Sequence, residues 1–84
     1  ADASADTWAR LARAFYRVGR HADALTGAER ALALMPEHPD ALQVSGLAHI
    51  GLENFEAAVT VFERLAERYP RLKTVRVSLG SAYI

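Results

Sequence analysis

The sequence contains no cysteine, which excludes disulfides and thiolate metal sites. That absence leaves the compartment open, with the cytoplasm the simpler expectation and the periplasm the alternative. There is no excess of charge of either sign: ten Lys and Arg residues balance ten Asp and Glu over 84 positions. A nucleic-acid footprint calls for a basic stripe and a high pI, and an anionic membrane surface calls for a polybasic segment. Neither nucleic acid nor membrane is therefore an expected partner. No apolar run approaches the roughly 20 residues that span a bilayer. The five glycines are too dispersed for a phosphate-cradling loop, and no serine stands in a nucleophile-elbow motif.

Just over half of the residues are apolar, and they repeat. A shift of 34 positions aligns Asp6 with Asp40, Ala14 with Ala48 and Ala82, and Ala24 with Ala58. The same shift pairs Thr26 with Thr60, Glu29-Arg30 with Glu63-Arg64, and Pro36 with Pro70; Ala12, Gly46 and Gly80 share one column. Within each unit apolar residues recur every three or four positions, as in Trp8, Leu11, Ala12, Phe15 and Val18, the period of a helix face. Gly19-Arg20, Pro36 to Pro39, Glu53-Asn54 and Pro70 punctuate the stripes. The expected helices are 5–18, 21–34, 39–52, 55–68 and 73–84. Helices this short are marginal alone, and the short turns between them require antiparallel packing.

These residues resemble the tetratricopeptide repeat, with its W-x2-L-G-x2-Y, A-x3-F and P pattern. The first unit reads Trp8, Leu11, Ala12, Phe15, Ala24, Ala28, Ala31 and Pro36. The second reads Leu42, Ser45, Gly46, His49, Ala58, Phe62 and Pro70, and the third begins Leu79, Gly80, Tyr83. The resemblance implies an all-α fold, antiparallel helical hairpins stacked as a right-handed superhelix. It implies one domain over 1–84, with repeats at about 5–38 and 39–72 and a partial third at 73–84. Ala12 and Gly46 are expected to face Ala24 and Ala58, with Trp8, Phe15 and Phe62 filling the space between neighbouring hairpins.

The family's concave groove is lined by the first helix of each hairpin. Carried over by register, it offers Asp6, Ala9, Arg13, Tyr16 and Arg17, then Asp40, Gln43, Leu47 and Ile50, then Thr74, Val77, Ser81 and Ile84. The peptide-binding residues expected are Arg13, Tyr16, Arg17, Gln43, Leu47, Ile50 and Val77: an apolar strip beside a basic edge. Such a surface suits a protein or peptide partner with aliphatic and acidic residues. The clamp with which some relatives grip the C-terminal carboxylate of heat-shock chaperones would fall at Ala9, Arg13, Val44, Thr74 and Ser78, where Arg13 alone can donate to a carboxylate. That clamp is not expected.

His21, His38 and His49 lack the i, i+4 spacing of a helical metal site, and structural roles are expected for each. Glu63 and Glu67 alternate with Arg64 and Arg68 and read as a solvated face. No catalytic residue, metal or cofactor is expected. The chain opens at Ala1 without Met and closes within the apolar stripe Val77, Leu79, Ala82, Tyr83, Ile84. The expectation is a piece of a longer array, with self-association through this open C-terminal face as a further prospect. Nine of the ten basic residues are Arg, a bias suggestive of a GC-rich bacterial genome. The functional expectation is a non-catalytic interaction module, either scaffold or assembly factor. The alternatives are a small bacterial secretion-type chaperone for an aggregation-prone client and a regulatory segment of a larger enzyme.

Overall fold

A computed structural model describes residues 4–69. They form four helices, α1 (Ala5–Arg17), α2 (His21–Leu34), α3 (Pro39–Gly51) and α4 (Phe55–Arg68). The first and third stop one residue before the apolar period does, because Val18 and Leu52 serve as C-caps. The expected fifth helix, 73–84, lies outside the described residues.

Each hairpin turns by the same device. After α1 the Arg20 N–H donates to the Phe15 carbonyl at 2.9 Å and the Gly19 N–H to the Tyr16 carbonyl at 3.0 Å. Gly19 adopts φ 84°, the left-handed conformation that lets these last carbonyls be satisfied. After α3 the same pair of bonds forms from Asn54 to His49 at 2.8 Å and from Glu53 to Ile50 at 3.0 Å. There the left-handed residue is Glu53, at φ 63°. The two starts of the first helices are also matched. The Ser4 hydroxyl accepts the Thr7 N–H, and one period later the His38 ring accepts the Ala41 N–H, each completing an N-cap.

Packing builds an all-α stack of antiparallel hairpins. The helices pair α1 with α2 and α3 with α4, while α3 also lies against both α2 and α1. Small residues let the axes approach: Ala12, Ala24, Ala28, Val44 and Ala48 make one buried cluster, and Ala9, Ala31 and Ala41 another. The second hairpin is filled differently, by Leu42, Ala58, Phe62 and Leu65. A Cβ placed on Gly46 would stand 2.5 Å from the Phe62 ring, so this ring demands glycine opposite it. The anticipated facing of small residues therefore holds within the first hairpin. In the second, Gly46 faces Phe62, and that ring fills the hairpin from within instead of the space between hairpins. Beyond α4, the Tyr69 hydroxyl donates to the Glu37 carbonyl at 2.7 Å and the Arg68 Nε to the Glu37 carboxylate at 2.7 Å. These bonds tie the end of the second hairpin to the α2–α3 loop. None of these helices is long and apolar enough to cross a membrane.

Candidate functional site

Because α3 packs on α1 as well as on α2, the first helices of the two hairpins stand side by side. Their shared outer face forms a recess of about 280 Å³ lined by Arg13, Tyr16 and Arg17 from α1 and by Gln43, Val44 and Leu47 from α3. The positions repeat along each helix at three and four residues, so side chains one turn apart reach the same recess. Tyr16 is half-buried; it packs against the alanine cluster and its ring lies 5.5 Å from that of His21. Leu47 is also half-buried and leans on the second hairpin's core. Both offer apolar surface that is part scaffold and part accessible.

The rim is less basic than two arginines one turn apart suggest. The Arg13 guanidinium bonds the Asp40 carboxylate at 3.2 Å, both side chains being about half exposed. This cross-hairpin bond partly neutralises Arg13 and holds α1 to α3. Such an exposed pair contributes no more than about 1 kcal/mol, but it orients the guanidinium away from free donation. Arg17 makes no ion pair among the described residues. Ionic recognition at this recess falls chiefly to Arg17.

Arg13, Tyr16, Arg17, Gln43 and Leu47 are thus brought together. Ile50, one turn past Leu47, does not line this recess, although like Leu47 it packs against the Leu42, Ala58, Phe62 and Leu65 cluster. Val77 lies outside the described residues. Ala9 is buried with Ala31 and Ala41 and offers nothing to a ligand.

Asp6 is engaged by His38. The His38 ring is buried; its Nδ1 accepts the Ala41 N–H at 3.2 Å, and its Nε2 lies 2.6 Å from the Asp6 carboxylate. Acceptance at Nδ1 leaves the ring proton on Nε2, which donates to Asp6. One side chain therefore caps α3 and ties it to the first turn of α1. The expectation of a structural role for His38 is met by a more specific one than a loop position implied, and Ser4 in the same repeat column, itself an N-cap, was the available signal. His21 and His49 each bury an Nδ1 that has no hydrogen-bond partner. Among the described residues no three His, Asp or Glu side chains converge as metal ligands would.

A family model described as tetratricopeptide repeat matches residues 9–72 and again 44–84. Among solved structures, the second TPR domain of human RPAP3, determined by NMR in complex with the HSP70 peptide SGPTIEEVD, superposes with a TM-score of 0.92 at 22% identity. The match covers 98% of this chain and 68% of that one. No curated protein sequence matches the chain.

Proposed function

Because the chain belongs to the tetratricopeptide-repeat family, we propose that it is a non-catalytic interaction module that holds an aliphatic, acidic peptide or helix in the recess between α1 and α3. The observation that carries this reading is the composition of that recess: Tyr16 and Leu47 supply accessible apolar surface, Gln43 adds hydrogen-bonding capacity, and Arg17 makes no ion pair among the described residues. These side chains hold a ligand without supplying a nucleophile poised against a base. Buried apolar contact would supply most of the affinity and Arg17 the preference for negative charge. The structural likeness to a domain seen with the peptide SGPTIEEVD, which is itself aliphatic and acidic, is compatible with this partner class. The clamp for a chaperone's terminal carboxylate is still not expected, since Ala9 and Val44 are buried where it would need polar side chains. A scaffold, an assembly factor and a client-holding chaperone would all use this surface.

The test is an NMR titration of the 84-residue chain with the peptide SGPTIEEVD and with a version whose acidic residues are replaced by Gln and Asn. Saturable shifts at Tyr16, Gln43 and Leu47 are expected with the acidic peptide. Arg17→Glu should weaken it about fivefold or more, the scale of a lost charge-assisted contact. Shifts that avoid the recess, or equal binding of the two peptides, would remove the reading.

A further inference from the structure

The recess draws both of its cations from α1, since the counterparts of Arg13 and Arg17 one 34-residue period later are Leu47 and Gly51. The two arginines stand one helical turn apart, with Cβ atoms about 5–6 Å from each other, yet their states differ. The Arg13 guanidinium donates to the Asp40 carboxylate at 3.2 Å, whereas Arg17 makes no ion pair among the described residues. The carboxylate that holds Arg13 comes from the facing helix, in the first turn of α3. Asp6, in the same repeat column, is likewise bonded across the hairpins, but to the buried His38. The Arg13 and Asp40 side chains are instead 49% and 58% exposed, so their bond is open to competition from a ligand.

We propose that Asp40 is an internal ligand for Arg13 and thereby sets the charge pattern that the recess accepts. It does so only where the recess binds an acidic peptide, as proposed above. With Arg13 held, Arg17 is the recess cation left to meet a carboxylate, and it lies on the C-terminal side of Arg13 along α1. Helices α1 and α3 run parallel, because α2 returns antiparallel between them. Asp40, at the start of α3, therefore marks the opposite end of the recess. Helical side chains lean toward the N-terminus, which carries the Arg13 guanidinium that way.

A partner segment thus places a carboxylate over Arg17 and a neutral or basic side chain toward Asp40. A second carboxylate at Arg13 would have to displace Asp40, and the displaced charge would repel it. Exposed ion pairs contribute little, so Asp40 biases the choice of partner without closing the site.

The probes are the peptide SGPTIEEVD and its Gln and Asn counterpart, titrated at low salt into the 84-residue chain and its variants. Backbone amides and the arginine Nε–H resonances are followed. In the unsubstituted chain the acidic peptide should move the Arg17 Nε–H and leave that of Arg13 in place. Asp40→Ala, an exposed change, should tighten the acidic peptide about two- to fivefold, the range an exposed pair allows, and bring Arg13 into the response. The uncharged peptide should bind both chains alike. Asp40→Asn should fall between them, because an amide oxygen accepts from Arg13 more weakly than a carboxylate does. Adding Arg13→Gln to Asp40→Ala should cancel the gain.

An unchanged affinity on Asp40→Ala, or equal movement of Arg13 and Arg17 in the unsubstituted chain, would overturn the proposal and leave the recess as the binding site. A gain that survives Arg13→Gln would also overturn it, since Asp40 would then only repel the ligand. If neither chain shows saturable shifts at Tyr16, Gln43 and Leu47, the peptide-binding function falls and the role of Asp40 falls with it.

Discussion

In the first hairpin Ala12 meets Gly27, with Ala28 beside them, and the two axes approach on small side chains throughout. One period later the columns of Ala12 and Ala28 hold Gly46 and Phe62, and a full phenyl ring lies where a methyl lay before. The α3 position opposite the ring gives up its side chain, and a Cβ there would meet the ring at 2.5 Å; this local exchange is how one backbone plan accommodates two different cores.

The sharpest way to break this comparison is to alter the facing pair. Phe62→Ala should cost about 3–5 kcal/mol, since the ring is fully buried and its removal leaves a cavity. Gly46→Ala should cost about 1–3 kcal/mol through overpacking against that ring, although glycine to alanine inside a helix ordinarily gains about 1 kcal/mol. The two effects must be coupled. In a Phe62→Ala background the clash partner is gone, so Gly46→Ala should become stabilising and recreate the Ala–Ala pairing of the first hairpin. Urea denaturation of the four species reads this directly. If Gly46→Ala destabilises equally in both backgrounds, the volume-exchange account fails.

The caps provide a comparison of intermediate size. Ser4 and His38 occupy one column, yet Ser4 is exposed and His38 is buried and bonded at both ring nitrogens. Ser4→Ala should cost about 0.5–1 kcal/mol, the exposed end of the N-cap range. His38→Ala should cost more, about 2 kcal/mol, because it leaves the buried Ala41 N–H without its acceptor and also removes the bond to the exposed Asp6 carboxylate. The discriminating partner is Asp6→Asn, which keeps an acceptor and should cost less than His38→Ala. Equal losses for Ser4→Ala and His38→Ala in thermal unfolding would mean that the cross-hairpin bond contributes nothing.

Much of this architecture was legible because a 34-residue period carries both the apolar stripes and the turn columns, and each independent copy checks the other. The helices begin where Pro39 and the Gly19 and Glu53 columns indicate, and the residues of the recess share one face by the same register. What was not legible depends on pairs far apart in the chain. Arg13 and Asp40 are 27 residues apart, and His38 and Asp6 are 32 apart; neither bond leaves a local spacing to detect. Ile50 and Leu47 both lean on the second hairpin's core, a contact that depends on Phe62 and Leu65 of α4 and that counting turns along α3 does not show. The burial of Ala9 has the same cause: α2 and α3 converge on it through Ala31 and Ala41.

The smallest difference between the hairpins is the one at the turns, and it permits the cleanest reading. Gly19 and Glu53 both adopt positive φ to close the same pair of hydrogen bonds. A side chain in that conformation crowds the following carbonyl, at a cost of roughly 1 kcal/mol or somewhat more. A Cβ added at Gly19 would meet no atom within 4 Å, so Gly19→Ala isolates the backbone term and should destabilise by about 1 kcal/mol. Glu53→Gly should stabilise by nearly the same amount, less the greater freedom of glycine in the unfolded chain. Opposite signs in parallel denaturation curves would establish that the two turns are conformationally equivalent and that only the residue differs. If Glu53→Gly destabilises, the Glu53 side chain must be making a contact that offsets its backbone, and the second turn is held by something the first lacks.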